Sequence, residues 1–129
     1  MKSAYLSAVI ALAVATLAAS APARAQFSLG GGLSQEGGEA IYKNVCQACH
    51  MPDARGGQGA GMYPALAKNS KLEVAGYPIT VVIRGQKAMP AFGGAFSDQQ
   101  IADVVNYVRT NFGNDYRDKV TSDDVKSQR

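Results

Sequence analysis

Five consecutive residues, Cys46-Gln47-Ala48-Cys49-His50, contain every thiol and every imidazole of this 129-residue chain, which has two cysteines and one histidine. Two thiols three positions apart, with a histidine directly after the second, form the C-x-x-C-H pattern of a c-type haem attachment site. The pattern has a mechanism. On one turn of helix both thiols point to one side, where each can bond one vinyl group of a single porphyrin. The histidine then offers the iron a neutral imidazole nitrogen. A redox dithiol also uses C-x-x-C, but it expects a preceding strand in a βαβ setting, which this sequence does not show. Zinc would require a fourth strong ligand, and no further Cys or His exists to provide it. A structural disulfide across so short a loop would restrain little of the unfolded chain. The residues favour haem, with the dithiol as the remaining alternative.

Iron held by His50 on one face needs a ligand on the other. A c-type electron carrier would use a thioether sulfur, which raises the reduction potential. Met51 adjoins the histidine and cannot reach round the ring. Met62 lies twelve residues beyond it in a glycine-rich stretch, whereas Met89 sits in an irregular segment, Gln86 to Phe96, long enough to close the opposite face. Most methionines are core filler, yet Met89-Pro90 has few helical neighbours to fill, so Met89 is the favoured ligand. With both axial positions taken by protein, no place for a substrate remains and the chain is a carrier, not an enzyme. The competing reading is a haem enzyme or gas sensor with an open distal iron site.

The elements that must position these groups read as follows. Met1 to Ala25 has the form of an export signal: Lys2 at the start, an uncharged apolar run from Leu6 to Leu17, and Ala23-Arg24-Ala25 for cleavage. The run is too short and too alanine-rich for a retained anchor, so no transmembrane anchor is expected after cleavage. An exported chain whose only thiols are a C-x-x-C pair belongs in an oxidising compartment, here the periplasm. Removing Lys2 and Arg24 takes 13 basic residues to 11 against 10 acidic ones, which is too even a balance for nucleic acid.

Residues 26–33 read as a flexible lead centred on Gly30-Gly31-Gly32, and 34–114 as one domain. A helix is predicted from Ser34 or Gln35 into the Cys-His motif, with Ile41 and Val45 on its apolar face. Gly38 in that helix costs about 1 kcal/mol relative to Ala, which suggests a close backbone crossing, with a frayed first turn as the alternative. Gly56 to Gly61 lacks the strand and the Lys-Ser/Thr pair of a phosphate loop. Its glycines instead suit backbone lying flat against a planar cofactor. Ile79 to Ile83 is ambiguous between strand and helix, and Pro78 tips it to a short helix ending at Gly85. The clearest helix begins at Ser97, whose capping box is completed by Gln100. Ile101, Val104, Val105 and Val108 form its buried face, and Gly113 is placed at its end. The polar tail, residues 115–129, is of a kind prone to disorder, although Thr121 and Asp124 are spaced to cap one last short helix.

Taken together, these residues resemble a class I c-type cytochrome, monohaem, bacterial and periplasmic, over nearly all of Gly38 to Asn114. The resemblance rests on Cys46-Gln47-Ala48-Cys49-His50 and on Ala88-Met89-Pro90-Ala91-Phe92. It rests also on Gly38 and Tyr42, eight and four residues before the first cysteine, and on Val104 and Tyr107 in the later helix. It implies an all-α small cytochrome c fold, with N- and C-terminal helices crossing and loops wrapping one covalent haem c. It further implies His50 as proximal ligand, Met89 as distal ligand, and the Pro64 carbonyl as acceptor for the second nitrogen of His50. Tyr63 to Asn69 and Val120 to Val125 resemble cytochrome subunits of periplasmic dehydrogenases. The implied partners are such a dehydrogenase as electron donor and an oxidase or another cytochrome as acceptor.

Overall fold

The computed structural model describes residues 34–58 and 62–129; the expected export signal, 1–25, and lead, 26–33, lie outside the described residues. The fold is all-α. Helix α1 runs through three consecutive segments, Gly38–Ile41, a π-helical turn at Tyr42–Cys46, and Gln47–His50. After a 3₁₀ turn at Ser70–Leu72 come α2, Gly76–Arg84, α3, Asp98–Thr110, and α4, Ser122–Lys126. Strand pairing among the described residues is limited to β1, Gly57–Gln58, against β2, Met62–Tyr63, and an isolated bridge between Gln86 and Met89. No helix of the described residues is long and apolar enough to cross a membrane.

Helix α1 starts at Gly38, later than its sequence suggests. Gly37 is left-handed, at φ 80°, and breaks the helix there. The Gln35 carbonyl accepts from Gln100 Nε2 of α3 at 2.8 Å, so the strand of chain before Gly37 is tied sideways. Helix α2 forms around Ile79–Ile83 as expected, beginning at Gly76, and stops where Gly85 turns to φ 72°. The capping box of α3 is complete: Ser97 Oγ accepts from the Gln100 amide at 3.2 Å, and Gln100 Oε1 accepts from the Ser97 amide at 2.9 Å. Its far end falls at Thr110, short of Gly113. There Asn111 is extended, while the amides of the Asn111 and Asn114 side chains donate to the Tyr107 and Val108 carbonyls at 2.9 and 2.8 Å. Side chains thus take over carbonyls that another helical turn would have used. Gly113 is left-handed, at φ 80°, in the turn that follows.

The tail is packed, against its polar composition. Val120 and Val125 are buried in the core, and Thr121 with Asp124 forms the capping box of α4. Asn106 of α3 holds the tail by accepting from the Val120 amide and donating to its carbonyl, each at 2.8 Å. Arg109, fully buried, donates to the carbonyls of Leu72, Glu73 and Asp118 at 2.8, 2.9 and 2.6 Å, and to the Asp118 carboxylate at 2.7 Å. The guanidinium in turn holds the Asp118 carboxyl below its usual range.

Helices α1 and α3 cross at Gly38. A Cβ there would stand 2.1 Å from the Asp103 carbonyl oxygen and 2.6 Å from Tyr107 Cβ, so only glycine lets the backbones meet. One turn on, the Tyr42 ring packs 5.7 Å from Tyr107 and 4.8 Å from Phe112, and its hydroxyl donates to the Met51 carbonyl at 2.8 Å. Gly38→Ala is therefore expected to destabilise the fold by about 1–3 kcal/mol, read as a lower denaturation midpoint. Burial pushes the Tyr42 hydroxyl up from 10.0 to about 12. The folded state thus favours the neutral phenol: its contribution is complete below pH 10 and is lost as pH rises from 10 to 12. Tyr42→Phe should lose about 0.5–1.5 kcal/mol at neutral pH with its hydrogen bond, and should lack that alkaline loss when unfolding is followed against pH.

Candidate functional site

Cys46 ends the π turn of α1, and Cys49 and His50 close the helix one turn later. A π turn bonds each amide one residue further back than an α turn does, and such turns occur frequently at functional sites. Here it runs from Tyr42 to Cys46 and ends on the first thiol. The helix is stopped by Met51, in the left-handed region at φ 67°, followed by Pro52, whose ring disfavours a helical residue before it. Both cysteines are half-buried and unbridged. His50 is 7% exposed, which places the imidazole inside the fold.

The chain after the helix doubles back over His50. The Gly56 amide donates to the His50 carbonyl, and the amides of Leu66 and Ala67 both donate to the Ala54 carbonyl, at 2.7 and 2.9 Å. The β1–β2 ladder pairs Gly57 with Tyr63 and Gln58 with Met62. Gly56, at φ 70°, makes this closure sterically feasible, since a Cβ there would lie 2.1 Å from the Tyr63 carbonyl oxygen. The result is that the Pro64 carbonyl oxygen stands 3.0 Å from His50 Nδ1. A carbonyl can only accept, so this hydrogen bond requires the proton on Nδ1 and leaves the Nε2 lone pair of the neutral ring free.

Burial, reinforced by Cys49, pushes the Cys46 thiol up to about 11. At neutral pH it stays protonated. Burial at Cys46 thus works against the thiolate that a disulfide-exchanging thiol needs. Met89 belongs to a separate segment. Its amide and carbonyl both pair with Gln86, at 2.9 and 3.0 Å, in a tight turn between α2 and α3. Gly85 is needed there, because a Cβ would lie 2.6 Å from the Met89 carbonyl oxygen. Met89 is half-buried between exposed Ala88 and Pro90. Met62 is 83% exposed, on β2. The structure therefore gathers Cys46, Cys49, His50 and Pro64 into one unit and carries Met89 on another loop. Sequence reading did not anticipate the π turn or the part played by Gly56, which at the sequence level is one glycine among several.

Residues 34–108 match the family described as cytochrome c oxidase, cbb3-type, subunit III. The gluconate 2-dehydrogenase cytochrome c subunit of Pantoea cypripedii is 35% identical over 108 residues, 71% of this chain and 24% of that protein. The cytochrome c subunit of the quinone alcohol dehydrogenase of Gluconobacter oxydans is 34% identical over 112 residues, 77% of this chain and 23% of that one. This chain thus spans about a quarter of the length of the dehydrogenase subunits it matches. Cytochrome c6 of Thermosynechococcus vestitus is 35% identical over 113 residues, 84% of this chain and 91% of its own length. On the family match and on this near full-length similarity, the chain belongs to the small c-type cytochromes.

Proposed function

We propose that this chain is a periplasmic, class I monohaem electron carrier that holds one haem c through Cys46 and Cys49, with His50 and Met89 as axial ligands. It receives electrons from a periplasmic dehydrogenase and passes them to an oxidase or another cytochrome. The observation that carries the reading is the Pro64–His50 contact, 3.0 Å from carbonyl oxygen to Nδ1, on the same helix turn as two unbridged thiols. The donor set fits the cofactor. It has two unbridged thiols to form thioethers and an imidazole whose free nitrogen is fixed by the other's hydrogen bond. When bound, the haem supplies a one-electron ferric/ferrous couple.

The protein's part is to keep that couple's surroundings unchanged between oxidation states. The Pro64 carbonyl holds the imidazole against rotation, and the Tyr42 hydroxyl holds Met51, the next residue, through its carbonyl. The Gln86–Met89 turn fixes the backbone that presents the distal sulfur. A thioether opposite a histidine raises the potential. The dehydrogenase donor is supported by the similarity to cytochrome c subunits of gluconate and alcohol dehydrogenases. Residues 1–25 act as the cleavable export signal and 26–33 as a lead. The cytochrome domain spans 34–114, with 115–129 as a tail.

The exported protein should carry the mass of one haem after denaturation, and Cys46→Ala with Cys49→Ala should abolish it; an unmodified mass for the natural chain would end the proposal. Met89→Ala should lose the low-spin spectrum, lower the potential and let reduced protein bind carbon monoxide. An unchanged spectrum and potential would remove Met89 as ligand. Ready carbon monoxide binding by the unsubstituted protein would favour an open-site haem enzyme or gas sensor.

A further inference from the structure

We propose that Arg129 is a positioning residue for the distal ligand: it straps the segment between Met89 and α3 in place and so sets how often that loop opens. This rests on the reading of Met89 as the axial sulfur. On one side, the segment after Met89 is pinned to α2 by two amides, Phe92 to the Val82 carbonyl at 2.9 Å and Gly93 to the Ile83 carbonyl at 3.1 Å. On the other side one guanidinium supplies a fan of donors. Arg129 donates to the Gly93 carbonyl, to the Phe96 carbonyl at 3.0 Å and to the Asp98 carboxylate at the head of α3. The three acceptors lie at the loop's middle, its end and the first residue of α3, so a single side chain spans the exit of the loop. Phe92 and Phe96, with ring centroids 5.3 Å apart, form the apolar floor beneath it.

Arg129 is itself held in place. Gln128 Oε1 accepts from the Thr80 hydroxyl of α2 at 2.8 Å, and Val125 of α4 is fully buried. Gly93 is needed where the loop meets α2, since a Cβ there would lie 2.8 Å from the Ile83 carbonyl oxygen, while the nearest guanidinium nitrogen would stand at ordinary contact, 3.4 Å. The Arg129–Asp98 pair is about two-thirds covered, its side chains 34% and 28% exposed, so solvent screens it less than a surface pair. Charge-assisted, forked hydrogen bonds of this kind are stronger than neutral ones and fix direction as well as distance. A lysine could keep the charge pairing with Asp98 but could not serve all three acceptors.

The test uses haem-loaded protein and compares Arg129→Gln, Arg129→Lys and Asp98→Asn, with Met89→Ala as control. Two readouts follow loop opening: hydrogen exchange at the Met89, Phe92 and Gly93 amides, and the rate at which added imidazole displaces the distal ligand from ferric iron. Arg129→Gln should raise both by roughly tenfold, Arg129→Lys by less, and Asp98→Asn should add little on top of Arg129→Gln. Unchanged exchange at those amides in Arg129→Gln overturns the proposal. So does an increase matched by the loss of global stability measured by denaturant, or faster exchange with no faster imidazole binding. An unchanged spectrum in Met89→Ala would instead defeat the ligand reading, and the exchange data would then stand apart from it.

Discussion

The structure depends on a place where there is no room for a side chain. At Gly38 the first helix meets the backbone of α3 at a distance that no Cβ could tolerate. That closeness brings the Tyr42, Tyr107 and Phe112 rings together one turn later and aims the remainder of α1, with its thiols and imidazole, at the interior. The entropic disadvantage of glycine in a helix is thus accepted where it allows two long elements to share one contact. The buried face of α3, from Ile101 to Val108, then has a surface to pack against.

Around this crossing the chain is largely irregular, and irregular backbone leaves carbonyls and amides without helical partners. Polar side chains from α3 and its flanks supply them. Arg109 serves three carbonyls, Asn106 both backbone groups of Val120, and Arg129 two carbonyls of the segment between Met89 and α3. A fully buried guanidinium is tolerated because its hydrogens find acceptors and Asp118 balances its charge. The tail is therefore no appendage: with the valines at 120 and 125 buried, it supplies part of the core and part of the polar scaffold.

What could be read from the sequence is what local chemistry decides. The Cys-His motif, the capping box at Ser97 and the heptad-like face of α3 need no knowledge of distant residues. Gly38 announced a close approach because a glycine inside a helix wants a reason. The start of α1 depended instead on Gln35 being drawn sideways to Gln100, and the end of α3 on amides from Asn111 and Asn114. Both are tertiary decisions that override propensity. The packing of the tail was hidden for the same reason, since Val120 and Val125 are too few to mark an apolar face until Asn106 and Arg109 bind the chain between them. The π turn left no compositional trace.

The Asn114 side chain engages three distant points through one amide group, donating to the carbonyls of Leu66 and Val108 and accepting from the amide of Asn69. It acts as a clasp that fastens the turn after Pro64 to the last turn of α3. Leu66, two positions beyond Pro64, is thereby fixed directly to α3, so the register of the Pro64–His50 arrangement is set at the end of that helix.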